Sequence, residues 1–201
     1  MMSKADLRAQ ARAHRKALKA TDPGAAEKAA GHAEEMLDAL FGREAGWAEE
    51  AARGRRLTVA LYRPRGAEME TRPLAQTLAL LGCDLSLPCV EALDRALAFR
   101  VWTPGDPLRA DLVGSAAPVS DAMEVEPDLI ITPLLAFDET GHRLGQGGGY
   151  YDRTFAARPG AVRVGLAWST QEVDRLPAEA HDIPLHGVLT EVGYTAARKA
   201  D

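Results

Sequence analysis

LLAFDETGHRLGQGGGYYDR, residues 134–153, is the stretch that decides the fold of this chain. It follows an apolar, β-branched run at 128–132 that predicts a buried strand, and it leads into residues 150–158, which predict a helix. The order is therefore strand, glycine-rich loop, helix. The four glycines of the loop can adopt positive φ and present backbone N–H groups to an anion, and the dipole of the following helix favours negative charge. The stretch predicts a phosphate-binding loop.

Two common phosphate motifs do not fit these residues. A Walker loop needs lysine and a hydroxyl after its last glycine, whereas Gly149 is followed by Tyr150 and Tyr151, and the spacing also fails the dinucleotide pattern. The glycines on their own are equally compatible with a tight turn between strand and helix. Two neighbours favour the phosphate site, because Arg143 offers a cationic fork for phosphate oxygens and Asp152 offers a hard oxygen ligand to Mg²⁺.

Strand and helix patterns alternate over most of the chain. The spacing predicts helices at 3–20, 22–41, 71–81 and 150–158, and strands at 57–62, 84–90, 96–102, 128–132, 162–168 and 188–192. Residues 42–56 are typical of a charged surface connection, and residues 103–126 of an irregular segment with one short strand. We therefore expect one α/β domain over residues 1–201, a Rossmann-like three-layer α/β/α arrangement with a mainly parallel sheet. Helices at about 3–41 pack on that sheet, and the ligand crevice lies at the carboxyl ends of the strands.

The composition is compatible with many soluble enzymes. The chain has 201 residues, 46% of them hydrophobic, and a net charge of −5, which argues against general attraction to nucleic acid or anionic lipid. It shows neither an apolar run of about 18 residues nor a secretory leader. We expect a cytoplasmic protein, a monomer or weak homodimer, without nucleic-acid or membrane partners. Cys83 and Cys89 lack metal-ligand spacing and predict reduced thiols.

The first predicted helix carries basic residues at helical spacing. Lys4, Arg8 and Arg12 recur every four residues, so they lie along one face of the helix. A solvated cationic face explains this spacing, and so does a face that contacts phosphate; the spacing alone favours the solvated face. The same solvated position is expected for Arg15, whereas His14 falls near the apolar stripe.

Four short blocks of the sequence share the order of motifs in one enzyme family. The glycine-rich block is Arg143-Leu-Gly-Gln-Gly-Gly-Gly-Tyr-Tyr-Asp-Arg153, preceded by Ala-Phe-Asp. The other three are Lys4-Ala-Asp-Leu-Arg8, Glu68-Met-Glu-Thr71, and Leu176-Pro followed by His181-Asp-Ile-Pro-Leu185. Together they resemble the 5-formyltetrahydrofolate cyclo-ligase family, also called methenyltetrahydrofolate synthetases. The blocks span almost the whole chain, and the glycine-rich block is highly specific.

The resemblance implies ATP- and Mg²⁺-dependent cyclisation of 5-formyltetrahydrofolate to 5,10-methenyltetrahydrofolate, with release of ADP and phosphate. ATP phosphorylates the formyl oxygen in that reaction, and the neighbouring N10 amine attacks the activated carbon as phosphate leaves. Such a protein has to align its reactants and neutralise charge, and it needs no nucleophilic side chain. The alternative is a phosphosugar- or nucleotide-binding sensor, or an isomerase, of similar α/β architecture.

The same resemblance assigns residues of this chain to each ligand. The expected ATP contacts are Lys4, Arg8, Arg143, Leu144, Gly145, Gln146, Gly147, Gly148, Gly149, Tyr150 and Tyr151. The expected folate contacts are Leu61, Glu68, Gln146, Gly147, Gly148, Gly149 and Tyr150, with Glu70 as the alternative to Glu68. Arg143 and Asp152 are the expected catalytic residues, and Asp152 and Asp182 are the expected Mg²⁺ ligands.

Overall fold

A computed structural model describes residues 4–42, 47–179 and 182–198. Its helices are α1 (Lys4–Thr21), α2 (Ala25–Gly31), α3 (Ala33–Phe41), α4 (Trp47–Ala52), α5 (Arg72–Leu80) and α6 (Tyr150–Ala157). Its strands are β1 (Thr58–Ala60), β2 (Asp84–Cys89), β3 (Ala98–Val101), β4 (Leu108–Ala110), β5 (Ala116–Pro118), β6 (Leu129–Pro133), β7 (Ala136–Phe137), β8 (Arg143–Leu144), β9 (Val162–Leu166), β10 (Gly187–Thr190) and β11 (Gly193–Ala196). None of the helices in these ranges has both the length and the apolar character that a membrane crossing requires.

Seven strands form one sheet in the order β11-β10-β9-β6-β1-β2-β3. Every neighbouring pair from β10 to β2 is parallel, whereas β11 and β3 are antiparallel edge strands. The central pair β1 and β6 aligns Val59 with Leu129 and Ala60 with Ile130. Strands β4 and β5 form a separate hairpin, as do β7 and β8. The predicted α/β class with a mainly parallel sheet is confirmed.

Successive residues of the central strands face opposite layers, as the pleat requires. Val59 packs in a core cluster that reaches Met36 of α3 and includes residues of α2 and α5. Its neighbour Ala60 packs in a second cluster with Phe155 of α6. Helices therefore cover both faces of the sheet, which is the predicted three-layer arrangement.

The helices differ from the prediction at two places. The segment predicted as one helix at 22–41 is two helices, α2 and α3, which meet at Gly31 and His32; glycine is a poor helix residue, so a break there is inexpensive. The segment predicted as a surface connection at 42–56 contains helix α4. Its first residue, Trp47, is buried, and Trp47 Nε1 donates a hydrogen bond to Asp38 Oδ1 of α3 at 3.0 Å, which fixes the start of α4 against α3.

Helix α1 packs differently from α2 and α3. Leu7 and Ala11 lie against a small cluster that contains Leu135 and Leu144 of the β7–β8 region, and only the C-terminal part of the helix reaches the main core, through Leu18. The predicted packing of all the N-terminal helices on the sheet therefore applies to α2 and α3. Helix α1 instead lies beyond the carboxyl ends of the strands.

The strand predictions missed short or exposed elements. The segment 103–126 holds two short strands, β4 and β5, where one was predicted. The last predicted strand, 188–192, covers the end of β10 and the turn into β11, which begins at Gly193 with φ 143°. Strand β11 is an edge strand with half-exposed residues, so its sequence lacks the apolar alternation of a buried strand.

Candidate active site

A cavity of about 720 Å³ lies at the carboxyl ends of the central strands. Tyr62 follows β1, Val90 follows β2, and Pro133 ends β6; all three line the cavity. This is the edge of a parallel sheet where ligands bind in open α/β folds. The wall is completed by helix α1, the β4–β5 hairpin, the glycine-rich loop, the start of α6, and the residues Leu176, Pro177, Glu179 and Asp182.

The β7–β8 hairpin separates β6 from the glycine-rich loop, so the predicted direct connection is wrong in this detail. Asp138 is buried in the hairpin turn, where its Oδ1 accepts hydrogen bonds from Thr140 N at 3.0 Å and His142 N at 3.1 Å. Its Oδ2 accepts one from Leu176 N at 2.9 Å. Asp138, the Asp of the Ala-Phe-Asp triplet, therefore links the turn before the glycines to Leu176.

The glycine-rich loop turns sharply before α6. Gly147 and Gly149 have φ of 100° and 64°, a region that favours glycine over residues with a Cβ. A Cβ on Gly147 would lie 3.4 Å from the Arg8 guanidinium carbon, so α1 approaches the loop closely. Gly149 is the residue before α6, which directs the first N–H groups of that helix towards the loop.

Two basic residues of α1, Lys4 and Arg8, contact other parts of the cavity wall. Lys4 Nζ lies 2.8 Å from Glu179 Oε1 and 3.2 Å from Asp182 Oδ2. Partial burial lowers the pKa of Lys4, but the hydrogen bonds to these two carboxylates outweigh it and leave the pKa above its ordinary value. Arg8 Nε donates to Gly145 O at 3.0 Å. This face of α1 therefore closes on the glycine-rich loop and is not simply solvated.

Arg143 joins three parts of the site. Its NH2 donates to Asp152 Oδ1 at 2.5 Å, its NH1 donates to Ile183 O at 2.7 Å, and its guanidinium carbon lies 4.6 Å from the centre of the Phe155 ring. Only 6% of the side chain is exposed, yet the residue lines the cavity. The guanidinium is thus held in one orientation between Asp152 and the carbonyl of Ile183, the residue that follows Asp182.

Glu68 is a buried carboxylate on the opposite wall of the cavity. Its Oε2 accepts a hydrogen bond from Arg65 N at 2.8 Å, and its Oε1 lies 3.8 Å from Arg15 NH1. Burial raises the pKa of Glu68, while the Arg65 N–H and the charge of Arg15 oppose that shift. Arg15 is itself buried and donates to Leu134 O at 2.9 Å. Its Nε has no hydrogen-bond partner among the residues that the structure describes.

Predicted ATP contacts and metal ligands come together in this cavity, whereas one folate contact does not. Leu61 lies in the core and does not line the cavity; its neighbour Tyr62 does. Glu70 is exposed and its Oε1 lies 3.3 Å from Lys19 Nζ, so Glu68 is the carboxylate of this pair that faces the cavity. The predicted residues that line it are Lys4, Arg8, Glu68, Arg143, Leu144, Gly145, Gln146, Gly147, Gly148, Gly149, Tyr150, Tyr151, Asp152 and Asp182.

Comparison with known proteins identifies the family of this chain. The model of the 5-formyltetrahydrofolate cyclo-ligase family matches residues 1–191. The chain belongs to that family. The 5-formyltetrahydrofolate cyclo-ligase of Haemophilus influenzae is 36% identical over 138 residues, which cover 65% of this chain and 74% of that protein. The cyclo-ligase of Escherichia coli K12 is 38% identical over 144 residues, or 66% of this chain and 77% of that protein.

One solved structure supports the same family, and a second supports the fold. The NMR structure of the 5,10-methenyltetrahydrofolate synthetase from Aquifex aeolicus matches with a TM-score of 0.74 and 30% identity, covering 100% of this chain and 95% of that one. A 5,10-methenyltetrahydrofolate synthetase from Mycoplasma pneumoniae matches with a TM-score of 0.65 and 22% identity over 94% of this chain and 99% of that one. The second match supports the fold alone.

Two residues of α1 in this cyclo-ligase, Arg15 and His14, differ from their predicted positions, whereas Arg12 is exposed as predicted. Arg15 was expected in solvent and is buried, whereas His14 is exposed and its Nε2 lies 3.0 Å from Thr170 O. Arg12 Nε donates to Gln146 Oε1 at 3.1 Å across the glycine-rich loop. The position of Arg15 was detectable, because it lies three residues before Leu18 and therefore shares its face of the helix.

The carboxylates of the cyclo-ligase cavity have the chemistry of a Mg²⁺–nucleotide site. Asp152 and Asp182 both line the cavity, and Arg143 links them by contacting Asp152 and the carbonyl of Ile183. The described residues contain no cluster of three or more metal-ligating side chains. One or two carboxylates with phosphates and waters are the usual partners of Mg²⁺, so the donor set fits an ion that arrives with its nucleotide.

Proposed function

We propose that this chain converts 5-formyltetrahydrofolate and ATP into 5,10-methenyltetrahydrofolate, ADP and phosphate. Membership of the cyclo-ligase family supports the folate substrate and its cyclised product. The dependence on ATP is supported by one observation: the glycine-rich loop and the cations Lys4, Arg8 and Arg143 share a cavity with the buried carboxylate Glu68. That cavity can place a triphosphate beside a folate.

The reaction needs ATP because the formyl group is an amide. Its carbon is a poor electrophile and its oxygen a poor leaving group. Transfer of the γ-phosphoryl group to that oxygen breaks the bond to the β-phosphate oxygen and releases ADP. N10 then attacks the activated carbon and loses its proton, the C–O bond breaks, and the former formyl oxygen leaves in inorganic phosphate.

The phosphate-binding residues align and neutralise the transferring group. Backbone N–H groups of the loop between Gly145 and Gly149 hold phosphate oxygens, while Lys4, Arg8 and Arg143 balance their charge. Lys4 and Arg143 already contact carboxylates on the cavity wall, so both cations are positioned before the nucleotide binds. Prior positioning of charge is the main way that proteins accelerate phosphoryl transfer.

Asp152 and Asp182 are the residues that would hold Mg²⁺ in this site. The bound ion would supply positive charge to the β- and γ-phosphate oxygens of ATP. Arg143 keeps the Asp152 carboxylate in place through the 2.5 Å hydrogen bond, and Glu179 N donates to Asp182 Oδ2 at 2.8 Å. These contacts hold both carboxylates at the wall of the cavity.

The pterin ring binds on the wall that carries Glu68. An ionised carboxylate accepts hydrogen bonds only, which suits the neighbouring N–H groups at the edge of a pterin. Tyr62, Tyr151 and Pro133 line the cavity and offer flat, largely apolar surfaces to the ring. The positive charge of Arg15 favours the ionised form of the buried Glu68 carboxyl group.

A direct assay tests the proposed function. Purified protein is mixed with 5-formyltetrahydrofolate, and the near-ultraviolet absorbance of the methenyl product is followed with ATP and Mg²⁺, without ATP, and with the metal chelated. Product is expected only in the complete mixture, with one ADP formed for each methenyl group. Binding of nucleotide or phosphosugar without any product would support the sensor or isomerase alternative.

Replacement of Lys4 by Ala tests the phosphate-binding face of α1. We expect the KM for ATP to rise about tenfold, because one charge-assisted contact to the triphosphate is lost, while the KM for the folate changes little. Steady-state kinetics with each substrate varied in turn measure both constants. Lys16→Ala is the matched control, since Lys16 is exposed on the same helix and does not line the cavity. Equal KM values for ATP in the two variants would show that Lys4 belongs to a solvated face and does not contact the nucleotide.

Replacement of Arg15 by Met tests whether this residue keeps Glu68 ionised. The charge of Arg15 lowers the pKa of Glu68, so its loss raises that pKa further and leaves the carboxyl protonated up to a higher pH. The KM for the folate should therefore rise at low pH and recover as the pH increases, while Arg65 and Lys19 still favour the ionised form. The dependence of this KM on pH measures the shift.

Two further variants separate a charge effect of Arg15 from a packing effect. Arg12→Met removes an exposed cation of the same helix and should leave the pH dependence as in the parent. Glu68→Gln should weaken folate binding at every pH and remove the dependence. An Arg15→Met variant whose folate KM follows the parental pH dependence would show that Arg15 acts through packing alone.

A further inference from the structure

Two exposed arginines line the cavity, and neither has yet been assigned a contact with a substrate. Arg63 and Arg65 belong to the connection that follows β1. Arg65 NH2 donates to Ser115 Oγ at 2.6 Å, so this guanidinium is held against the β4–β5 hairpin. Neither arginine forms a salt bridge with a carboxylate within the described ranges of the chain. The charge of Arg65 also favours the ionised form of Glu68, but from beyond salt-bridge distance, so both guanidinium groups can contact an anion that enters the cavity.

The wall beside these arginines is held together by Asp111. Its Oδ2 accepts a hydrogen bond from Val90 N at 3.0 Å, and its Oδ1 accepts hydrogen bonds from Val113 N at 3.1 Å and Ser115 N at 2.7 Å. This carboxylate is therefore occupied with backbone donors. The arrangement brings the apolar side chains of Val90 and Val113 to the cavity wall that Ser115 shares with Arg65.

The cavity thus carries cations on two separate walls. On one wall, Arg8 contacts Gly145, Lys4 contacts Glu179 and Asp182, and Arg143 contacts Ile183. On the other, Arg65 contacts the β4–β5 hairpin, and Arg63 also lines the cavity. The two substrates of the proposed reaction also carry their negative charge in separate places. ATP is anionic at its phosphates, and the folate is anionic only at its glutamate, because its pterin and aminobenzoyl groups are uncharged.

We infer that Arg63 and Arg65 form a subsite for the carboxylates of the substrate's glutamate moiety, an inference that rests on the proposed function. A pterin on Glu68 lets the aminobenzoyl ring extend along Val90 and Val113, and the glutamate then reaches the two guanidinium groups. The planar fork of arginine matches a carboxylate well. Because both arginines are exposed, additional γ-linked glutamates can continue into solvent from the same place.

A substrate without the glutamate tests this subsite. The parent protein and the double variant Arg63→Ala/Arg65→Ala are assayed with 5-formyltetrahydrofolate and with 5-formyltetrahydropteroate, which ends at the benzoate. The parent should have a kcat/KM about 10²-fold higher for the folate, from two charge-assisted carboxylate contacts. The double variant should reduce this ratio to less than about tenfold, and 0.5 M salt should reduce it in the parent.

Two controls keep the result specific. Arg109→Ala removes an exposed arginine of the β4–β5 hairpin that does not line the cavity. This variant should keep the parental ratio of kcat/KM between the two compounds. Arg63→Lys/Arg65→Lys should recover part of the ratio, which a folding defect would not. An unchanged ratio in the alanine variant, or a rise in the KM for ATP in place of the folate effect, overturns the inference while the proposed function stands. A parent that cyclises neither compound rejects the function and the subsite with it.

Discussion

Asp152→Asn is expected to lower kcat by about 10³-fold, the loss that follows removal of one electrostatic partner from a reacting centre. The amide is neutral and offers a single, weaker oxygen ligand, so it neither holds Mg²⁺ nor balances Arg143. The Mg²⁺ concentration for half-maximal rate should increase together with the loss of kcat. Methenyl absorbance recorded across a Mg²⁺ titration measures both effects.

The control for Asp152→Asn is the same chemical change at a remote carboxylate. Glu126→Gln weakens an exposed ion pair with Arg158, whose Nε lies 2.6 Å from Glu126 Oε2, and should leave the kinetics unchanged. Asp152 is partly exposed in the first turn of α6, so thermal unfolding of its variant should remain cooperative. Turnover by Asp152→Asn at the parental rate and Mg²⁺ dependence would remove Asp152 from the metal site.

Arg143→Lys is expected to have a similarly large effect, although it preserves the charge. A lysine cannot donate to Asp152 and to Ile183 O from one planar group, so it holds neither the carboxylate nor the segment of Asp182 in place. Cationic partners of a transferring phosphoryl group contribute about 10³-fold or more to its rate. We expect kcat to decrease by about 10³-fold, with a smaller change in the KM for the folate.

Single-turnover experiments distinguish chemistry from product release in Arg143→Lys. The rate of methenyl formation with excess enzyme should show the same loss as the steady-state kcat. Arg158→Lys is the matched control, since Arg158 pairs with exposed Glu126 and does not line the cavity. If Arg143→Lys cyclised the folate within a few-fold of the parent, its two-point contact would have no part in the transfer.

The glycine-rich loop could be predicted because its information is local. Positive φ at Gly147 and Gly149, the helix that begins at Tyr150 and the carboxylate of Asp152 all follow from neighbouring residues in the sequence. The central strands were predictable for a similar reason, since their apolar runs are buried on both faces. The grouping of distant residues, such as Lys4 with Asp182, depended on the family resemblance and not on the pattern of residues.

The features that prediction missed depend on contacts between distant segments. The spacing of Arg15 from Leu18 indicates its face of the helix, but its partners Leu134 and Glu68 are both distant from it in sequence. Leu61 lies in the core just after the end of β1, whereas the adjacent Tyr62 packs in the same core cluster and also lines the cavity. The β7–β8 hairpin has strands of two residues, which are too short to show a period.

The central claim is that the γ-phosphoryl group of ATP is transferred to the formyl oxygen in this cavity. It is tested most directly with 5-formyltetrahydrofolate labelled with ¹⁸O in the formyl group, converted under single-turnover conditions with unlabelled ATP. Mass spectrometry of the released phosphate should show one ¹⁸O in nearly every molecule, with none in ADP. Phosphate without label, accompanied by ¹⁸O in water, would contradict the account.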